Sequence, residues 1–170
     1  ISSSTSKTLN ITGPGKDVDS YTPISINKTT KEVIPEGSTN VVSTDIEINE
    51  GTVTWDPNMG ISFGENKTTS PATALFHEIG HGYSSFFTTN SYVQRCTQPI
   101  GAPFDNKEEE YNITTFEHLI SKFFGEPLRD THGDSYVETD SPTSNREITT
   151  TEDQLGEGTI VDLKGAGNSY

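Results

Sequence analysis

Residues 70–87 read SPATALFHEIGHGYSSFF, and the fold turns on them. Ser70 followed by Pro71 joins a residue whose side chain caps helices to one whose fixed φ suits the first helical position. From Ala72 to Phe87 no further proline intervenes, which predicts a helix. His77 and His81 are four apart, so they lie on one face, one turn above the other, and two imidazoles so placed can grip one metal ion. Glu78 projects about 100° round the helix from His77, which sets its carboxylate beside the metal rather than on it. In this H-E-x-x-H arrangement zinc lowers the pKa of its bound water, Glu78 takes the proton as general base, and the hydroxide attacks a carbonyl that the metal also polarises. Leu75, Ile79, Tyr83 and Phe86 are placed to anchor the helix. Gly80 and Gly82 each cost about 1 kcal/mol in a helix interior relative to Ala, so they predict close packing by a crossing element.

Working outward, the stretch from Tyr21 to about Phe63 has a β pattern: YTPISIN, KEVIP, NVVSTDIEIN, GTVTWD and GISF, separated by Asn, Gly and Pro. It predicts a small antiparallel sheet. Residues 1–20 are rich in Ser, Thr, Gly and Pro and read as a linker or edge segment. Beyond the first helix, Ile113, Phe116, Ile120 and Phe123 recur at spacings of three and four, predicting a second helix with one apolar face over about 108–124, ended by Gly125 with Pro127 beyond. After Arg129 no period is evident. The expected fold is α+β: a small antiparallel sheet, a zincin-like H-E-x-x-H helix and a second, crossing helix. The expected organisation is a lead-in over 1–20, a catalytic domain over 21–137 and an extended polar tail over 138–170.

Two histidines leave a catalytic zinc one protein ligand short, since such sites supply three and keep the fourth position open. The extended H-E-x-x-H-x-x-G-x-x-H pattern needs a glycine and a histidine where this chain has Ser84 and Phe87, so the third ligand must be a downstream carboxylate. Glu108, Glu109 and Glu110 open the second helix. The run also has a purely structural reading, complementing the positive end of the helix dipole. Glu109 shares the apolar face with Ile113 and Phe116, whereas Glu108 has polar Asn112 one turn on, and Glu117 is a third candidate; periodicity does not choose among them. A zinc peptidase also needs a donor for the tetrahedral oxyanion. Arg129, His132 and Tyr136, just past the second helix, are the candidates, while His118 reads as a packing or surface residue.

The 170 residues have the size of one domain, with 29% hydrophobic residues and a formal net charge of -14. That balance repels a phosphate backbone and excludes nucleic acid as a partner. No run approaches the apolar length of a membrane span, and ISSSTSKTLN has no signal-peptide form, so a soluble chain is expected. A first residue that is not Met suggests a fragment of a longer polypeptide. Cys96 is the only cysteine, which excludes an internal disulfide and a Cys-based zinc cluster. Asn10, Asn27, Asn66 and Asn112 begin N-x-[ST] sequons, which matter only in a eukaryotic secretory pathway.

Over about 53–145 the chain resembles the effector-type zinc metallopeptidases of bacteria, including the toxin domains at the C-terminal ends of RHS-repeat polypeptides. The matching features are W-D-P at 55–57, S-P-A at 70–72, H-E-x-x-H at 77–81, N-x-E-E at 106–109, Glu117, R-x-x-H-G at 129–133 and S-P-T-S at 141–144. The resemblance implies a zinc endopeptidase domain, secreted or delivered into a target cell as part of a larger polypeptide. It further implies a protein or peptide substrate, and an immunity protein or host target as partner. By likeness to the E-E-x-R-T segment of clostridial neurotoxin light chains, it places the third zinc ligand on Glu108. The chain departs from the pattern by a third Glu, Glu110, and by Tyr111 where Arg often stands. The resulting site has zinc on His77, His81 and Glu108, Glu78 as general base, and His132 and Tyr136 as further catalytic residues.

Overall fold

The computed structural model describes residues 6–13, 19–33, 41–132 and 135–148. The polar tail expected from 138 onward lies outside the described residues from 149. Strands β1 (Thr8–Thr12), β2 (Ser20–Val33), β3 (Val41–Thr54), β4 (Met59–Ser62) and β5 (Thr68–Thr69) precede helices α1 (Pro71–Phe87) and α2 (Thr89–Cys96). Helix α3 (Lys107–Asn112) then runs through a π turn (Ile113–Glu117) into α4 (His118–Phe124), and β6 (Ser135–Glu138) follows. The class is α+β, as expected.

The strands form two three-stranded sheets. In one, ordered β1-β3-β2, β2 is antiparallel to β3 but β1 is parallel to it, so the sheet is mixed rather than antiparallel throughout. The segment read as YTPISIN and residues 31–33 of KEVIP fuse into β2, and Pro23 is accommodated because β2 is an edge strand whose register shifts at that point. The other sheet, β5-β4-β6, draws its last strand from the stretch after Arg129, where four residues are too few to display a period.

The motifs flanking α1 converge on its N-terminus. Ser70 Oγ accepts from Thr73 N at 3.3 Å, Ala72 N donates to Pro142 O at 2.8 Å, and Trp55 Nε1 donates to Pro71 O at 2.8 Å. Glu126 accepts from Ser70 N and Thr73 Oγ1. The amides that every helix start leaves unpaired are thereby satisfied, and the helix is fixed at the end that precedes the histidines.

Among the described residues the buried hydrophobic ones are Ile48 and Val53 of β3, Ala74 and Phe86 of α1, Ile61 and Ile113. Tyr21 lies over Gly51 of β3 and bonds Ser85 Oγ at 2.5 Å, tying sheet to helix. The glycines of α1 have the expected reason. A Cβ on Gly80 would overlap Asn112 Oδ1 and press on Phe116, and one on Gly82 would meet Leu9; the π turn and β1 cross there. Two expectations from periodicity fail. Tyr83 is 51% exposed, its ring tilted against those of Phe87 and Phe116 rather than buried to anchor α1. Phe123 is 81% exposed, because the wide π turn shifts the phase and carries it off the face begun by Ile113.

Candidate metal centre

Both site histidines are buried, and each is gripped from behind. His77 Nδ1 lies 2.8 Å from Glu117 Oε2, and His81 Nδ1 lies 3.3 Å from Glu108 Oε1. A carboxylate can only accept, so each Nδ1 carries a hydrogen, and each Nε2 faces forward, free to present its lone pair to a metal once it gives up any proton. The carboxylates are themselves braced. Arg129 Nε reaches Glu117 at 2.9 Å and its Nη2 makes a shorter bond to the same group; Arg95 Nε reaches Glu108 at 2.5 Å. Such carboxylate–histidine pairs fix ring orientation and tautomer and raise ligand basicity at metal sites. Asn112 adds a bond from Nδ2 to His77 O at 2.8 Å.

On the forward side three donors converge. The two Nε2 atoms are 3.1 Å apart, and Glu109 Oε2 is 3.3 Å from each. Four donors about 2.05 Å from a tetrahedrally bound zinc stand about 3.3 Å from one another, so this triangle is one face of such a tetrahedron. The three residues form a group that could hold a metal ion. Glu109 Oε2 makes no hydrogen bond of good geometry; it stands 3.3 Å from the Nε2 atoms of His77, His81 and His132. In the metal-free chain protons compete for this space. Burial alone would lower both imidazoles, but Glu109 and Glu117 around His77 outweigh it, and Glu108 and Glu109 push His81 up to about 10. The same contacts hold the Glu109 carboxyl well below the ordinary carboxylate range against its own burial.

The triangle forms part of the wall of a cavity of 380 Å³. Glu78, His132 and Tyr136 line it too, so the structure gathers every sequence-predicted catalytic residue around one space. Glu78 is 8% exposed. His132 Nε2 sits 3.3 Å from Glu109 Oε2, and its Nδ1 is 2.8 Å from Asp105 Oδ2. Burial, reinforced by the charges of Asp19 and Glu78, pushes the Tyr136 phenol up to about 12, so it stays protonated.

Of the neighbouring carboxylates at the start of α3, Glu109 and not Glu108 faces the two Nε2 atoms. Asn106 caps α3, its side chain accepting from the amides of both Glu108 and Glu109. From that fixed start Glu108 turns behind His81 toward Arg95, and Glu109 turns to the two Nε2 atoms. Arg129 is 2% exposed, bonds Glu117 and His77 Nδ1 from behind the ligands, and also lines the cavity. Glu117, a ligand candidate in the sequence, is a brace. His118 donates from Nε2 to Arg129 O at 2.6 Å and so positions the brace in turn. Sequence reasoning missed Arg95 and Asp19. Arg95 sits on α2, a helix for which no periodic signal was found, and Asp19 sits in the supposed lead-in. Compared with protein-family models, curated proteins and solved structures, the chain has no significant match.

Proposed function

We propose that this chain is a zinc-dependent endopeptidase domain, with His77, His81 and Glu109 holding the metal and Glu78 acting as general base. The observation that carries the reading is the triangle at 3.1, 3.3 and 3.3 Å, its two imidazoles locked by carboxylates, opening on a cavity that Glu78 also lines. Bound zinc would supply a Lewis acid that acidifies a water and polarises a carbonyl. Glu78, one residue from His77 and outside the triangle, takes the proton of the attacking water and hands it to the leaving amide nitrogen, so no covalent enzyme intermediate is needed. Tyr136 keeps its proton and is a donor for the developing oxyanion. His132, one third exposed beside Glu109, is a second donor at the cavity mouth.

Delivery into a target cell as part of a larger polypeptide, with an immunity protein or host target as partner, belongs to the same reading and rests on the motif resemblance. The experiment is cleavage of an unfolded protein substrate by the zinc-loaded chain and by Glu78→Gln. The variant is expected to retain zinc and to lose about 10²- to 10⁴-fold in rate; full-rate cleavage by a zinc-loaded Glu78→Gln would refute the mechanism.

A further inference from the structure

Asp19 is a buried acid for which the peptidase reading has no use. It is 5% exposed and lines the same cavity as the metal triangle. Its Oδ1 accepts from Asp56 N at 2.8 Å, but its Oδ2 is buried with no hydrogen-bond partner. An unpaired buried carboxylate oxygen is costly and calls for an occupant such as water, an ion or a ligand group, and this one belongs to a residue that lines the cavity. Among the described residues of the cavity wall the only Lys or Arg is Arg129, which Glu117 engages. None of the described residues donates a hydrogen bond to Asp19 Oδ2.

The charge balance points the same way. Behind the histidines, Glu108 with Arg95 and Glu117 with Arg129 cancel. In front, a divalent ion would face Glu109, Glu78 and Asp19, one negative charge more than it neutralises. Burial, and then the charge of Glu78, raises the Asp19 carboxyl to about 7, a cost that a neighbouring cation would relieve. A volume of 380 Å³ corresponds to a space roughly 9 Å across, so a group held at the metal and an ammonium a few bonds away can both be accommodated.

We propose that Asp19 is a specificity residue that binds a primary ammonium group of the substrate next to the bond positioned at the metal. The proposal rests on the metal reading above. The ammonium has two sources, a lysine side chain or a free peptide N-terminus, and both present the same charge and donors to Oδ2.

Three hydroxamate probes, each able to chelate the metal, separate the cases by binding rather than by turnover. Nα-acetyl-lysine hydroxamate offers only the side-chain ammonium, norleucine hydroxamate only the α-ammonium, and Nα-acetyl-norleucine hydroxamate neither. Calorimetric titration of the zinc-loaded chain is expected to give at least tenfold tighter binding for one amine-bearing probe than for the neutral one, and which one identifies the source. Asp19→Asn keeps an oxygen for the Asp56 amide while removing the charge, and should erase that preference without changing zinc content or affinity for the neutral probe; Asp19→Ala, checked for unaltered melting, should do the same. Equal binding of all three probes, or a preference that survives in Asp19→Asn, overturns the proposal. Failure of every probe to bind overturns the metal reading and the proposal with it.

Discussion

The two sides of the histidine pair are built on opposite rules. Behind the rings each carboxylate meets an arginine, Glu117 with Arg129 and Glu108 with Arg95, and each bonds an Nδ1. In front, Glu109 Oε2 and Asp19 Oδ2 are buried without hydrogen-bond partners, and the two imidazole Nε2 atoms face one carboxylate oxygen. Arg95 Nη2 and Asn112 Oδ1 behind the rings also lack hydrogen-bond partners, so what sets the front apart is that its unpartnered atoms are carboxylate oxygens of residues that line the cavity. The contrast separates residues that hold the site from those that wait for something to fill it. Substitutions behind the rings should cost folding and metal affinity together, whereas Glu78→Gln and Asp19→Asn in front should change chemistry or selectivity and leave the fold intact.

The largest structural effect should come from Arg129→Met. Removing one partner of a buried pair leaves Glu117, 1% exposed, as an uncompensated charge, at a cost of about 3–5 kcal/mol. Urea unfolding should register that loss, and competition with a chelating dye should show zinc affinity reduced by roughly 10- to 100-fold. Unchanged values in both would mean that the back of the site does not support the front. A smaller loss, about 1–3 kcal/mol, is expected for Gly80→Ala, since its Cβ would force Asn112 and Phe116 away from α1. Thermal unfolding measures it, and zinc stoichiometry should be unchanged. A variant as stable as the parent would contradict the close crossing.

The α+β class, the capped helix at Ser70 and the crossing at Gly80 were legible in the sequence because each rests on local chemistry: a cap, a missing Cβ, a four-residue spacing. The roles of the acidic residues on the second helix were not. Glu108 and Glu117 are nine positions apart, and at about 100° per residue a straight α-helix would set them on opposite faces. The π turn at Ile113–Glu117 takes up the difference and brings both carboxylates to the histidines. Nothing in ITTFE announces a π turn, so the same feature hid the brace at Glu117 and misplaced Phe123. Glu109 could not be preferred to Glu108 because the choice depends on where Asn106 starts α3, and helix starts are the least determined part of a sequence reading. The edge reading of residues 1–20 holds for β1, an edge strand of its sheet; β6 was hidden because it is short and pairs with a strand far away in the chain.

The most direct test of the account is metal content by elemental mass spectrometry, on protein purified without added metal and again after reconstitution with zinc at neutral pH. The parent chain should carry about one zinc, and His77→Ala with His81→Ala should carry none while Glu78→Gln keeps it. No zinc in the reconstituted parent, or equal zinc in the double-histidine variant, would contradict a metal centre at the Nε2 triangle.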